Sequence, residues 1–346
     1  MRTGVFHETF VAEERLWDST TTQRWMLAFT LALFTLPVWG TDYMLAMACI
    51  VGIHVIATLG LNITTGNAGL ISLSHGAFLG VGCYTVAWLA KHGVPFYLTL
   101  PAAGFVTAAL GVIVGLPSLR VKGLYLAIAT LAAHFILTFV FREWEAVTGG
   151  VPGTSIPRAS LFGFEVGGDR RVFYLIFACA FAMAVAARNL GRTYVGRAFV
   201  AVRDRDISAE ILGVNLLRTK LLAFAIGAFY AGVAGGLLGY FYGAITPEYF
   251  VLTLSVFYLA AVIVGGLGSV LGSILGALFM TLLPELLRLA AHASSQWFPA
   301  VAGLLLPMQQ VVFGLLIIVF LVLEPHGLAA IWARIRRTFH LWPFRT

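Results

Sequence analysis

Long apolar runs are the feature that most constrains this chain. Ten stretches have about the length, 17–25 residues, that a membrane-spanning helix needs. They lie near residues 24–41, 43–61, 68–90, 96–117, 123–141, 172–188, 220–241, 251–266, 272–290 and 303–323. Because backbone groups in lipid must be hydrogen-bonded within the protein, these runs predict an all-α, polytopic transmembrane protein. The third and eighth runs adjoin glycine-rich stretches, where broken or re-entrant helices are expected.

Composition supports the same class of protein and excludes several others. Hydrophobic residues make up 60% of the chain and charged residues 11%, whereas soluble domains are about 45–50% apolar and about 25% charged. A soluble globule and a disordered chain are both excluded. The three cysteines, an odd number at wide spacing, exclude a disulfide scaffold. The net charge of +7 comes from loops between apolar runs, so it indicates membrane orientation and not nucleic-acid binding.

Basic residues cluster in one connection and in the C-terminal tail. The connection carries seven of them: Arg188, Arg192, Arg197, Arg203, Arg205, Arg218 and Lys220. The positive-inside rule predicts that residues 189–219 form a cytoplasmic loop and that residues 329–346 form a basic cytoplasmic tail. An even number of spans then places residues 1–23 on the same side. Residues 24–328 form the transmembrane domain, with an external loop at 142–171.

Several kinds of chemistry are missing from the sequence. The chain contains three lysines and no Gly-Lys-Ser or Gly-Lys-Thr, so it has no P-loop for ATP. It also has no His-Glu-x-x-His zinc motif and no Gly-x-Ser-x-Gly nucleophile turn. We therefore expect no enzymatic activity, no bound cofactor and no metal site. No Asp or Glu occurs between Tyr43 and Phe141, which argues against a carrier that is driven by an ion gradient.

A polar stretch interrupts the apolar sequence between Asn62 and Phe78. It reads NITTGNAGLISLSHGAF, and Gly66 and Gly69 can open a helix there. Irregular backbone at membrane depth is tolerated where protein or a water-filled cavity satisfies it, and broken helices often direct their N-termini at anionic substrates. The candidate residues of a substrate path are Asn62, Thr65, Asn67, Ser72, Ser74 and His75. A cytoplasmic turn that leads into an ordinary helix is the alternative interpretation.

The cytoplasmic loop contains a second informative stretch, from Gly191 to Asn215. From Arg197 its pattern predicts two short amphipathic helices, with Asp206 capping the second and Gly213 ending it. Mixed charges on short helices suit a register-specific contact with a cytoplasmic partner. A solvated loop that only fixes orientation is the alternative. The sequence GGLGS, Gly265–Ser269, predicts a tight turn between two helices.

Five ordered motifs give the chain a family resemblance. They are GNAGLISLSHGAF (66–78), LPSLRVKGLYLAIATLA (116–132), GRAFVAVRDRDISAEILGVN (196–215), KLLAFAIGAFYAGVAGGL (220–237) and VGGLGSVLGSILGA (264–277). With this set, the region from Tyr43 to Leu328 resembles a permease subunit of the branched-chain amino-acid ABC importers, of the LivM type. The resemblance implies a transport subunit that works by alternating access and uses ATP bound by other subunits.

The resemblance also implies partners and coupling residues. The partners would be a second, related permease, two cytoplasmic P-loop ATPases and an extracytoplasmic substrate-binding protein. In such importers the cytoplasmic loop contacts the ATPases through a Glu-Ala-Ala-x-x-x-Gly pattern, and this chain lacks the glutamate at the matching position. The candidate coupling residues are Arg203, Asp204, Asp206, Ser208, Ala209, Glu210 and Gly213. Permeases for urea or short amides, an autonomous carrier or channel, and a structural scaffold remain as alternatives.

Overall fold

A computed structural model describes Arg24 and residues 34–157, 160–161, 164–165, 169–295, 311–312, 314–315, 317–320, 322, 324 and 327–341. The predicted N-terminal segment, half of the first predicted span and parts of the last span and tail lie outside these residues. The helices are α1 (Asp42–Leu61), α2 (His75–Lys91), α3 (Phe96–Gly115), α4 (Leu124–Glu143), α5 (Glu145–Thr148), α6 (Asp169–Arg192), α7 (Tyr194–Ile211), α8 (Leu216–Tyr242), α9 (Leu252–Gly265), α10 (Val270–Ser295) and α11 (Gly327–Leu341).

The all-α prediction is confirmed, and each apolar run predicted between residues 43 and 290 corresponds to a helix. The third run needs a correction at its start. Helix α1 continues as a π-helix over Asn62–Asn67, and α2 begins only at His75, so residues 68–74 are not helical. Gly69 lies there with a φ of +70°, a conformation that ends a right-handed helix.

Helix α8 lies at the centre of the bundle, packed against α1, α2 and α3. Its contact with α2 is close because both helices present glycine. A Cβ atom built on Gly82 would lie 2.5 Å from the Cα of Gly232. Small residues allow helix backbones to approach this closely in lipid.

Glycines also join α9 to α10. A Cβ on Gly272 would lie 2.7 Å from the carbonyl oxygen of Gly265, and one on Gly276 would lie 3.0 Å from the Gly265 Cα. These two glycines therefore let the two helix backbones approach closely. Gly268 lies in the turn before α10 with a φ of +76°. The predicted tight turn at Gly265–Ser269 is thereby confirmed.

The helices define two ends of the bundle. At one end, strand β1 (Thr154–Ser155) pairs antiparallel with β4 (Ala244–Ile245), and a separate hairpin joins β2 (Ser160–Leu161) to β3 (Phe164–Glu165). At the other end, which we call the α7 end, Lys122 forms an ion pair with Asp206 of α7. The loop after α3 and the 189–219 loop therefore lie on the same side, as the basic residues predict.

Candidate functional site

Helix α2 begins inside the bundle and not at its surface. The Nε2 atom of His75, its first residue, lies 2.8 Å from the carbonyl oxygen of Ala57 in α1. Ala57 precedes the end of the π-helix at Asn67 by about ten residues, or about 15 Å of helix. The chain therefore leaves α1 at the α7 end and returns through residues 68–74 to mid-depth before α2 starts. We call residues 62–75 the helix break.

The protein satisfies the irregular backbone of the helix break. The Leu70 amide donates to the Thr64 carbonyl oxygen at 3.0 Å, and the Thr65 hydroxyl donates to the Leu70 carbonyl oxygen at 3.1 Å. The Leu73 amide donates to the hydroxyl of Thr130 in α4 at 3.0 Å. Non-helical backbone can persist at membrane depth under these conditions.

A second helix N-terminus meets that of α2. The Gly76 amide donates to the hydroxyl of Ser255, in the first turn of α9, at 2.8 Å. The N-cap residues of both helices, Ser74 and Val251, make no side-chain cap hydrogen bond. The first turns of the two helices, each with partial positive charge, are therefore joined by a single hydrogen bond at a buried position. Sequence reasoning missed Ser255 and Thr130, because a single hydroxyl in an apolar helix carries no distinctive signal.

Asn62 joins the helix break to the turn between α9 and α10. Its side chain is buried, and its Nδ2 donates to the Ser269 carbonyl oxygen at 3.0 Å and to the Ser273 hydroxyl at 2.8 Å. Its Oδ1 accepts from the Gly268 amide at 2.8 Å. Each polar atom of this amide is thus engaged within the chain.

The other five path candidates also lie within the helix break. Ser72 and Ser74 are buried with their hydroxyl oxygens 3.1 Å apart, and His75 and Thr65 bond to carbonyl oxygens as described above. Asn67 is half-buried at the end of the π-helix. The six candidates therefore lie along the helix break, from Asn67 at the α7 end to His75 at mid-depth, and their assignment to a substrate path stays a prediction.

Helix α7 lies across one end of the bundle and is kinked. It begins at Tyr194, three residues before the predicted start, because the Thr193 hydroxyl caps it by accepting from the Gly196 amide. Arg205 is non-helical, with φ −155° and ψ 98°, and divides it into the two predicted halves. Asp206 accepts from the Ile207 amide at 2.9 Å at the start of the second half.

Gly213 ends the second half, as predicted. Its φ is +89°, and its amide donates to the Glu210 carbonyl oxygen while the Val214 amide donates to that of Ala209, both at 2.9 Å. This pair of bonds is the Schellman arrangement, in which a left-handed glycine satisfies the last helical carbonyls. The stop fixes the direction in which the chain leaves for α8.

The seven coupling candidates do not share one surface. Asp204, Ser208, Glu210 and Gly213 are exposed, whereas Ala209 is buried against the bundle. Arg203 is also exposed, but its Nη1 donates to the carbonyl oxygen of the buried Gly66 at 2.9 Å. Asp206 is half-buried, and the hydrogen bond from Lys122 holds the pKa of its carboxyl below the usual range.

Apolar side chains dominate the outer face of the second half of α7. Ile207 is 68% exposed, Ile211 is 81% exposed and Leu212 is 83% exposed. None of these three residues is among the coupling candidates that the sequence predicts. Their common exposure depends on the kink and the helix stop, which the sequence does not display.

Membrane-length helices and exposed aromatic rings define the class of protein. Among the described residues six helices are long and apolar enough to cross a membrane: Asp42–Asn67, Phe96–Gly115, Leu124–Glu143, Arg170–Arg192, Leu216–Tyr242 and Val270–Leu289. Exposed rings lie near both ends: Trp39, Tyr97 and Trp144 at one end, Tyr125 and Tyr194 at the α7 end. Aromatic belts of this kind mark the two membrane–water interfaces. The fold is that of a multi-pass helical membrane protein with one broken helix.

Comparison with known proteins gives the family. A family model described as "Branched-chain amino acid transport system / permease component" matches residues 43–321, and the chain belongs to this family. The match covers nearly the same region as the resemblance seen in the sequence motifs. Members named in this way are transport permeases, not enzymes. No solved structure matches the chain.

Curated relatives carry two different permease names. The chain is 37% identical to the high-affinity branched-chain amino acid transport system permease protein LivM of Salmonella typhimurium, over 68% of this chain and 61% of that protein. It is 36% identical to LivM of Escherichia coli K12, over 70% of this chain and 63% of that protein. LivH of S. typhimurium is 29% identical, over 63% of this chain and 76% of that protein. The chain thus spans less than two thirds of the LivM relatives' length.

Proposed function

We propose that this chain is the membrane-spanning subunit of an ABC importer that moves branched-chain or other hydrophobic amino acids into the cell. Its LivM and LivH relatives are named as permeases of high-affinity branched-chain amino acid transport systems, which supports this substrate class. The two names also support pairing with a second, homologous permease. The chain lacks a P-loop, so ATP would be bound and hydrolysed by separate subunits, and the chain itself would bind no cofactor.

The exposed apolar face of α7 is the observation that carries this proposal. Ile207, Ile211 and Leu212 lie together at the end of the bundle, beside exposed charged residues. Apolar side chains grouped on a polar end of a membrane protein favour a docked protein partner. We assign this surface to two cytoplasmic P-loop ATPases, and the opposite end to an extracytoplasmic binding protein. The excess of basic residues around α7 supports a cytoplasmic α7 end, with both termini on that side.

The meeting of two helix N-termini supports a substrate path through the helix break. Partial positive charge at the starts of α2 and α9 suits the carboxylate of an amino acid, and apolar walls suit its side chain. Ser72, Ser74 and His75 are buried in the conformation described, so the path would open only during alternating access. ATP would drive that change through its different affinities for the two states of the complex.

Purification of the tagged chain from its native membrane tests the assembly. Mild detergent extraction should recover two P-loop ATPases and a second apolar permease, identified by mass spectrometry. Reconstituted vesicles with the binding protein should then accumulate leucine, isoleucine or valine only when ATP is supplied. Accumulation of urea or short amides instead would change the substrate assignment. Recovery of the chain alone, with uptake that follows an ion gradient, would identify an autonomous carrier.

Cysteine labelling tests the path separately from the assembly. Ser72→Cys and Ser74→Cys, in a background without native cysteines, should react with a water-soluble thiol reagent during turnover and be protected by substrate. A cysteine at Ala103, buried between α3 and α8, is the matched control and should stay unreactive. Equal labelling of all three positions, or labelling that substrate does not alter, would contradict a path through the helix break.

A further inference from the structure

Arg203 connects α7 to the helix break. It precedes the kink of α7 by two residues, and although its side chain is partly exposed, its Nη1 donates to the Gly66 carbonyl oxygen at 2.9 Å. Gly66 belongs to the last turn of the π-helix, where carbonyl oxygens lack helical partners and a cation is favoured. The Nε atom of Arg203 donates to the carboxylate of Asp204, its neighbour on α7, at 3.1 Å.

The arginine occupies a space that exists because two neighbouring residues, Gly69 and Gly268, lack side chains. A Cβ on Gly69 would lie 2.8 Å from the Arg203 Cγ, and a Cβ on Gly268 would lie 3.2 Å from its Nη1. Gly66 supplies the carbonyl acceptor. Arg203 therefore contacts Gly66 and Gly69 in the helix break and Gly268 in the turn before α10. Asn62 joins the same two elements.

We propose that Arg203 is a positioning residue that transmits movement of α7 to the helix break. Its place in the fold differs from that of the docking surface, because its side chain, 38% exposed, is bonded to Gly66 before the kink of α7. The side chains of Ile207, Ile211 and Leu212 are at least 68% exposed and follow the kink. A push on α7 would reach Gly66 and Gly69 through one rigid, hydrogen-bonded side chain. The inference rests on the proposed function, since it requires an ATPase that moves α7.

The first test compares two arginines that make the same kind of bond. Arg203→Ala removes the link to the helix break, whereas Arg197→Ala removes a 2.8 Å bond from α7 to the Arg192 carbonyl oxygen, remote from the break. We expect R203A to keep its ATPases on purification and to hydrolyse ATP, while transport per ATP falls about tenfold, a typical size for coupling between two sites. R197A should keep the wild-type ratio, and R203K, which keeps the cation, should lose less than R203A.

A covalent replacement of the link gives a second, independent test. A Cβ at Gly69 would lie 3.2 Å from the Arg203 Cβ, close to the separation of about 3.5–4.5 Å found in disulfides. The variant G69C/R203C, without native cysteines, should be uncoupled when reduced and regain transport per ATP when oxidised. Single variants should not respond to oxidation.

The outcomes separate this inference from the proposed function. Failure of the wild-type chain to recover or use an ATPase would refute the proposed function itself. With a working wild-type complex, a normal transport ratio in R203A would show that Arg203 only neutralises a helix end. A disulfide-linked complex that hydrolyses ATP without transport would show that α7 and the helix break must slide past each other, which also overturns the inference.

Discussion

Replacing Asn62 with alanine removes the side chain that joins the end of α1 to the turn before α10. Three hydrogen bonds are lost, those to the Ser269 carbonyl oxygen, the Ser273 hydroxyl and the Gly268 amide. The Ser269 carbonyl keeps another donor, because the Ser273 hydroxyl also donates to it at 3.1 Å. The Gly268 amide loses the Asn62 acceptor inside the protein.

The expected loss of stability follows from these contacts. Buried hydrogen bonds contribute about 1 kcal/mol each, and an orphaned amide adds a desolvation cost, so we expect a loss of about 3 kcal/mol. For a chain of 346 residues, an unfolding entropy near 0.7 kcal/mol per degree converts this into about 4 °C in Tm. Unfolding in detergent exposes less of the chain, which lowers that entropy and enlarges the shift.

A thiol-reactive dye provides the assay, because Cys49 and Cys83 are buried and become reactive only when the helices separate. The control is Asn67→Ala. Asn67 is half-buried in the same π-helix, and its side-chain amide makes no hydrogen bond among the described residues. Asn67→Ala should shift Tm by less than about 1 °C, as surface changes cost little. Equal shifts for the two variants would refute the account of Asn62 as a structural link.

Three further predictions concern the α7 segment and the glycine packing. Gly213→Ala should destabilise the purified protein by about 1–2 kcal/mol, because φ at this position is +89°. The Asp206 carboxyl, with its lowered pKa, stabilises the fold above its ordinary pKa, and this contribution disappears as pH falls through the folded value. The Tm difference between wild type and Asp206→Asn should therefore shrink on acidification. Gly276→Ala should cost about 2 kcal/mol or more, because its Cβ would collide with the backbone of α9.

Two matched glycine controls and one pH comparison test these predictions. Gly191→Ala has the same open surroundings as Gly213→Ala without a positive φ, so it should be neutral or slightly stabilising. Gly314→Ala also has open space around its Cβ and should leave Tm unchanged. Equal losses of stability in Gly213→Ala and Gly191→Ala would contradict the argument from the positive φ. Equal losses in Gly276→Ala and Gly314→Ala would contradict the argument from helix packing. A wild-type and Asp206→Asn difference that grows on acidification would show that the sign of the linkage is wrong.

The sequence by itself determined the class of fold and most of its elements. Apolar runs longer than a soluble protein tolerates allow few structures other than spanning helices, because lipid offers the backbone no other hydrogen-bond partners. Local chemistry was equally decisive at Gly213 and at Gly265–Ser269, where glycines adopt turns that the neighbouring residues alone predict. The five ordered motifs between Gly66 and Ala277 were together sufficient to identify the family.

Tertiary structure decided where the polar groups point. Asn62 and Arg203 were assigned to a substrate path and a docking surface, and the fold places both at the junction of α1, α7 and the turn before α10. Thr130 contacts the helix break at Leu73, and Ser255 contacts the start of α2 at Gly76, each more than fifty positions away in the sequence. Sequence spacing specifies which residues share a helix face. Which residues each face contacts depends on long-range packing, and that packing exists only in the folded bundle.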